Sequence, residues 1–364
     1  MPATICLVRC CINKEKNMKN NRLLLLLIVI LTAWCAVLSS QLNDIRSKED
    51  SAIINQYEVN GFSTDFTKIV EEVKPGVVTI NADGNILSGF VYRQDGDNVY
   101  ILSAYHGVSN VNSITVTFGS SYSVPGELLG HDIYTDLALI RITTPYLIVP
   151  AKLSDASLLK QGEFLLSIGT PLSQDYAGSV ELCMVAGNDL QIENFITVDE
   201  ERYSYFLNAI QLSSDIPSGY SGSPLFNMGG EVVGMNTMAV SSGITFALTI
   251  NEAKMVADQL LNQQVVTRNN FGIKGTFIKN MYNYEKSNLN ISVETINGIY
   301  VQRIRENGLA YAAGIRNGDV ITKINNEEIS DLNSYLKAMY SVGEEISFEY
   351  VRNGETFASA LTHD

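Results

Sequence analysis

Residues 218–227 read SGYSGSPLFN, with three serines and two glycines ahead of a Pro-Leu-Phe run. A serine hydroxyl becomes a nucleophile only when a base takes its proton and a third group orients that base. Histidine suits the task near neutral pH. The chain has three: His106, His131 and His363. His363 is penultimate, and His131 is expected exposed in the turn GHDIYTD. His106 ends the strand-like run VYILSAYHG, where Gly107 lets the chain turn. Asp136 opens the apolar run YTDLALIRI; an acid there is costly to bury unless something such as an imidazolium pairs with it. Ser221 lies between Tyr220 and Gly222. Flanking glycines allow a tight turn that aims backbone N–H groups at one point. The amides of Gly219 and Ser221 are therefore the expected oxyanion donors. The chemistry these residues suit is acyl transfer, with His106 as base and Asp136 orienting it. Each also has a plain structural reading: a strand-end histidine, a turn acid and a serine-rich turn.

These residues need rigid elements to bring them together. From Val77 onward come short β-type runs, among them VVTI, GFVY, NVYILSA, SITVTF, LALIRI, EFLLSIG, VELCMVAG and EVVGMNTM. Turn residues separate them, and no long helices alternate with them, which predicts antiparallel barrels. The order His106, Asp136, Ser221 is that of the chymotrypsin-type triad, a fold of the same class. A short helix is expected over 66–73, with Ser63 or Thr64 near its cap. A second helix over 251–263 closes the unit. Residues 265–270 read as a short polar connection. A smaller mixed unit begins at Phe271, with the strand IYVQRI, the small-residue stretch LAYAAGIRNGDVITKIN, a helix over 331–340 and a closing hairpin around Asn353-Gly354.

The 364 residues favour more than one domain, and at 46% hydrophobic and 18% charged the chain can bury real cores. Net charge is -14. The basic residues Arg9, Lys14, Lys16, Lys19 and Arg22 face only Glu15 at the start, so the remaining body is still more acidic. Such a body repels phosphate backbones, and no nucleic-acid partner is expected. Residues 23–38 read LLLLLIVILTAWCAVL without a charge, a length near that of a membrane-spanning helix. The expected layout is a cytoplasmic tail at 1–22, an anchor at 23–40 and a stalk at 41–64. The protease-like unit follows at 65–264 and the last unit at 271–364. Everything after the anchor then lies outside the cytoplasm of a single-pass cell-membrane protein. A cleaved signal peptide is the alternative. Cys6, Cys10, Cys11 and Cys35 fall in the tail or the apolar run. That leaves Cys183 alone in the exported part, as a buried hydrophobe without a disulfide partner.

Several segments resemble those of the HtrA/Deg serine proteases of the DegS type. ILSAYHGV is similar to that family's histidine segment, YTDLALIRI to its aspartate segment and SGYSGSPLFN to its nucleophile segment GNSGGPLVN. LSGFVY, LLSIGTPL and VVGMNT have counterparts too. The resemblance implies a mostly β fold, a chymotrypsin-like double antiparallel β-barrel followed by an α/β PDZ domain. It further implies a homotrimeric endopeptidase with catalytic His106, Asp136 and Ser221, needing no metal or cofactor and cutting unfolded or regulatory proteins. Phe271-Gly272-Ile273 then matches the PDZ carboxylate-binding loop, where a peptide C-terminus docks and modulates the protease.

Two positions depart from the family pattern. Tyr220 stands where Asn or Asp is expected, and Ser223 where Gly is expected. Either could misplace the oxyanion hole, which leaves a catalytically weak protease fold acting as a peptide sensor or scaffold, or a holdase, as alternatives. Asp215 lies six residues before Ser221, where an acid can select a basic residue before the cut bond. It reads here as a loop acid, since the resemblance implies cleavage after small aliphatic residues.

Overall fold

The computed structural model describes residues 34–41, 66–198, 201–215, 217–240, 244–341 and 343–362. Residues 66–364 belong to one compact unit. Residues 34–41 are helical, and no helix among the described residues is long and apolar enough to cross a membrane. The expected tail, most of the expected anchor and stalk, Ser63, Thr64 and His363 lie outside the described residues.

The unit opens with α1 (Thr67–Val73), which has no side-chain cap; Pro75 sits in the tight turn that ends it. The first barrel is closed in the order β1-β2-β3-β6-β5-β4. Its strands are β1 (Val77–Ala82), β2 (Asn85–Asp95), β3 (Asn98–Ala104), β4 (Ile114–Phe118), β5 (Tyr122–Asp132) and β6 (Leu137–Thr143). Alternate side chains of each strand point inward, so Val78, Ile80, Val91, Ile101, Ala104 and Ile140 share one buried cluster. Closure leaves no sheet edge to be capped.

The second barrel is closed as β10-β11-β12-β9-β8-β7. It comprises β7 (Phe164–Gly169), β8 (Ser179–Val198), β9 (Glu201–Leu212), β10 (Pro224–Phe226), β11 (Val232–Val240) and β12 (Ile244–Thr249). β8 and β9 form a long hairpin that reaches well beyond the barrel. Cys183 is buried in β8, and burial pushes its thiol up to about 12, so it stays protonated. Helix α2 (Ile250–Gln263) follows, capped by the Thr249 side chain and ended by left-handed Gln264. Its buried stripe, Ile250, Ala253, Val256, Ala257 and Leu260, has helical spacing.

The last unit is an antiparallel sheet in the order β13-β14-β15-β17-β18, with β16 on β15. Its strands are β13 (Ile273–Phe277), β14 (Ile299–Ile304), β15 (Val320–Ile324), β16 (Glu327–Glu328), β17 (Glu345–Arg352) and β18 (Glu355–Thr362). Helices α3 (Asn283–Asn288), α4 (Leu309–Ala312) and α5 (Leu332–Tyr340) complete it. Asp331 caps α5 in a reciprocal box with Ser334.

One expectation needs correction. His131 is exposed, but it lies in β5 rather than in a turn, paired opposite Ala138. Residues 265–270 form the expected short connection, which is also firmly anchored. Arg268 there forms an ion pair of 2.5 Å with Asp132 of β5, both side chains being almost fully buried. Its guanidinium lies over the rings of Tyr134, Tyr205 and Tyr340 at 5.1–5.3 Å. Beside it, buried Glu252 of α2 accepts the hydroxyls of Tyr205 at 2.6 Å and Tyr340 at 3.0 Å. Asn269 donates to carbonyls of α5 and Ser341. The connection therefore ties the last unit to both barrels. A polar sequence hid this because the charge is buried together with its partner.

Candidate functional site

The register of the first barrel sets the first half of the site. Ala104 and Leu137 pair at the ends of β3 and β6. His106, two residues beyond β3, thus faces Asp136, one residue before β6. His106 sits in the tight turn Tyr105–Gly107. A Cβ on Gly107 would lie 2.0 Å from a methyl carbon of Leu87, whose side chain would have to move to admit it. Asp136 holds a left-handed backbone (φ 56°), and its own carbonyl accepts the Tyr105 N–H at 2.8 Å. Its carboxylate takes two bonds from one residue: the His106 N–H at 2.7 Å and Nδ1 at 2.6 Å. That hydrogen bond raises the imidazole pKa above its ordinary 6.5; partial burial opposes the shift and the negative charge of Asp136 adds to it. The half-exposed ring is left with Nε2 free of Asp136. Behind it, His131 stacks on Tyr105 with centroids 4.0 Å apart. Asp132 caps Thr135, the neighbour of Asp136, through bonds of 3.0 and 2.6 Å.

The second half is the turn carrying Ser221. Gly219 (φ 97°) and Gly222 (φ 85°) both hold conformations that favour glycine. A Cβ on Gly222 would lie 2.3 Å from the Ser88 carbonyl oxygen and 2.8 Å from the Ala104 nitrogen. The turn therefore packs on the end of β3, two residues short of His106. Ser88 of β2 clamps it. The Ser88 N–H donates to the Ser221 carbonyl at 3.0 Å, and its hydroxyl donates to the Gly219 carbonyl at 2.8 Å. The same hydroxyl accepts the Thr170 N–H at 2.8 Å.

Two further bonds fix the planes of the Gly219 and Ser221 amides. Leu172 N–H donates to the Ser218 carbonyl at 3.2 Å, and Ser223 N–H to the Tyr220 carbonyl at 2.8 Å. In a trans peptide the N–H points opposite to the carbonyl, and no bond here is cis. The amides of Gly219 and Ser221 are thus turned away from these anchors, and among the described residues neither has an acceptor. No hydrogen bond joins His106 to Ser221 among the described residues; such contacts are often long without substrate.

Neither departure disturbs this turn. Ser223 is outside the left-handed region, so its Cβ is unstrained; the positive φ belongs to Gly222. Tyr220 is buried at 2% exposure instead of projecting from the turn. Asp215 is exposed in the segment after β9, as a loop acid would be.

In the last unit Phe271 and Ile273 are buried, Phe271 with its ring 5.7 Å from Tyr335 of α5. Gly272 (φ 70°) has a carbonyl that accepts the Arg305 N–H at 2.9 Å, while its own N–H has no acceptor among the described residues. The adjoining edge strand β13 meets the β8–β9 hairpin: the Gln191 side-chain oxygen accepts the Gly275 N–H at 2.8 Å, and Glu193 binds Arg303 and Arg305.

Sequence reasoning missed Ser88, Arg268, Glu252 and Gln191 as contributors. LSGFVY pointed at the segment of Ser88, but a serine before glycine carries no sign of a partner 131 residues away. Among the described residues no cluster of His, Cys, Asp or Glu suits a metal ion.

Comparisons with known proteins agree with this arrangement. Residues 87–235 match the trypsin-like peptidase domain family, and residues 264–360 the PDZ domain family. The chain is 31% identical over 278 residues to the serine protease Do-like HtrB of Bacillus subtilis, covering 74% of this chain and 60% of that one. It is 28% identical over 327 residues to a serine protease HtrA-like of Staphylococcus epidermidis, covering 82% and 56%. The chain thus spans less than two thirds of the length of these relatives. Among solved structures it resembles the HtrA-type protease AlgW with tripeptide, with a TM-score of 0.58, 23% identity and coverage of 82% and 96%. It also resembles the serine endoprotease from Yersinia pestis, with a TM-score of 0.51, 24% identity and coverage of 83% and 98%. At those identities the structural likeness speaks for the fold.

Two closed barrels with the site at their junction, followed by a sheet-and-helix unit, define a trypsin-like peptidase domain with a C-terminal PDZ domain. Within that class, the relatives that the chain resembles are HtrA-type serine proteases.

Proposed function

We propose that the chain is a serine endopeptidase in which Ser221 is the nucleophile, His106 the general base and Asp136 its orienting partner. The observation that carries this is the doubly bonded His106–Asp136 pair beside a serine turn with two amides that have no acceptor among the described residues. Asp136 holds Nδ1 protonated, which leaves Nε2 to accept the Ser221 proton as Oγ bonds to the peptide carbonyl carbon. The carbonyl π electrons move to oxygen, and the Gly219 and Ser221 amides receive the oxyanion. As the intermediate collapses, the C–N bond breaks and His106 returns its proton to the leaving amine. Water then attacks the acyl-enzyme with His106 again as base, releasing the acid and restoring Ser221.

The finer features are proposals too. The apolar run at 23–38 serves as an anchor holding the protease outside the cytoplasm, and the protein works as a homotrimer. Its substrates are unfolded or regulatory proteins. A peptide C-terminus docks at Phe271-Gly272-Ile273, supported by a Gly272 N–H without an acceptor among the described residues and by the edge position of β13. Gln191 and Glu193 hold the neighbouring groups, so a peptide pairing with β13 competes with the hairpin and changes the second barrel.

Cleavage of casein by the full chain, compared with Ser221→Ala and with and without peptides ending in apolar residues, tests the reading. Cleavage lost in the variant is the expected result. A folded wild type that never cleaves, with any peptide, contradicts it.

A further inference from the structure

The turn that carries Ser221 is held by the two residues that depart from the expected pattern. We infer that Tyr220 and Ser223 are positioning residues that seat the nucleophile turn on the end of β7, so that exchanging them for Asn and Gly slows catalysis. The inference rests on the peptidase reading above.

Ser223 is fully buried, and its surroundings are polar. Its Oγ lies 3.0 Å from Ser167 Oγ of β7 and accepts Asn236 Nδ2 of β11 at 2.8 Å. Asn236 Nδ2 also donates to Ser167 Oγ at 2.9 Å. Three buried side chains from β7, β11 and the turn thus close a ring. The backbone is bound at the same place: Asn236 N–H donates to the Ser223 carbonyl at 2.9 Å, and Gly222 N–H to the Asn236 carbonyl at 2.6 Å. Ser223 N–H in turn fixes the Tyr220 carbonyl, and with it the plane that aims the Ser221 amide.

A glycine at 223 would remove an acceptor from Asn236 Nδ2. The Asn236 side-chain oxygen already has no partner among the described residues, so the amide can gain nothing by turning over. It would also place two glycines in succession after the nucleophile and loosen the peptide that aims the donor.

Tyr220 acts through shape. A Cβ on Gly169, the last residue of β7, would lie 2.7 Å from Tyr220 Cδ1, so the ring rests directly on that glycine. Burial pushes its hydroxyl up to about 12, and it stays neutral at working pH. An asparagine could not fill the space the ring occupies. Ser167 and Gly169 are two apart in an extended strand and so share one face. One face of one strand end therefore supports both unusual residues. The next residue, Thr170, is tied through Ser88 to Gly219, so the seat is continuous with the clamp on the oxyanion turn.

The test is inactivation of the full chain by a fluorophosphonate, resolved into kinact and KI, with Tm measured alongside. The phosphonyl oxygen occupies the oxyanion site once Ser221 is modified, so kinact reads the aim of the turn. Ser223→Gly and Tyr220→Asn are each expected to lower kinact about 10-fold with KI within about twofold. Tyr220→Phe, which keeps the ring, restores kinact to within about threefold of wild type. Ser167→Ala reproduces the Ser223→Gly loss, and the pair together loses no more than either alone. Ser223→Ala, with less backbone freedom, gives the same hydroxyl test should the glycine variant not fold. Unchanged or faster kinact in Ser223→Gly and Tyr220→Asn overturns the inference, as does a lower Tm with kinact per folded molecule unaltered. A wild type that takes no label overturns the peptidase reading itself.

Discussion

The histidine–aspartate pair and the serine turn come from different barrels and are held by different means. His106 and Asp136 hold each other: two of the bonds run directly between them and a third joins Asp136 to Tyr105, all across a strand pair in register. The turn of Ser221 is held instead by residues outside that pair. Ser88 reaches it from the first barrel, and Leu172, Ser167 and Asn236 reach its turn from the second. The pair is local and self-contained, whereas the turn is an assembly. Damage to the pair should change what the site does with protons; damage to the assembly should change how well the oxyanion is met.

The largest effect falls where the two halves meet. Ser221→Ala removes the bond-forming atom and is expected to lower kcat by about 10^5–10^6-fold in casein or peptide cleavage. Asp136→Asn strips the pair of its charge and of the tautomer it imposes, with a loss of about 10^4-fold. Arg268→Met leaves Asp132 buried without its partner, one residue pair behind Asp136. Chemical denaturation should show a loss of about 3–5 kcal/mol. Ser88→Ala frees the Gly219 carbonyl while leaving the pair untouched, and kcat should fall by about 10–100-fold with little change in KM.

The smallest effect is the most discriminating. His106 must be neutral to act as base, and its pKa is raised above 6.5 by Asp136. The acid limb of kcat/KM is therefore expected above pH 6.5. Asp136→Asn should move the residual limb downward, and Ser88→Ala should leave it in place. The same shift contributes stability that is full below pH 6.5 and lost as pH rises through the raised value. If Ser88→Ala moved the limb as far as Asp136→Asn does, the division between the halves would fail.

How far the sequence could be read follows the same division. VYILSAYHG and YTDLALIRI announce His106 and Asp136 because strand ends are visible as a change from alternating apolar residues to turn residues. The barrels and α2 were legible for that reason too, through period-2 runs and the helical spacing of Ala253, Val256, Leu260 and Leu261. The supports of Ser221 were not, since Ser88, Ser167 and Asn236 are ordinary residues until the barrels close around them. Ser223 read as a threat because the sequence places a side chain near a glycine-rich turn without saying which residue takes the positive φ. Arg268 read as part of a polar connection because its burial depends on Asp132, Tyr205 and Tyr340, each far away in the chain.

The central claim is that His106, Asp136 and Ser221 act as one unit across the two barrels. The most direct measurement is to treat the folded full chain with a fluorophosphonate and locate the adduct by mass spectrometry. The account predicts one adduct, on Ser221, lost in His106→Ala and accumulating faster as His106 is deprotonated. An adduct on another serine, or labelling of Ser221 that ignores His106→Ala, would contradict it.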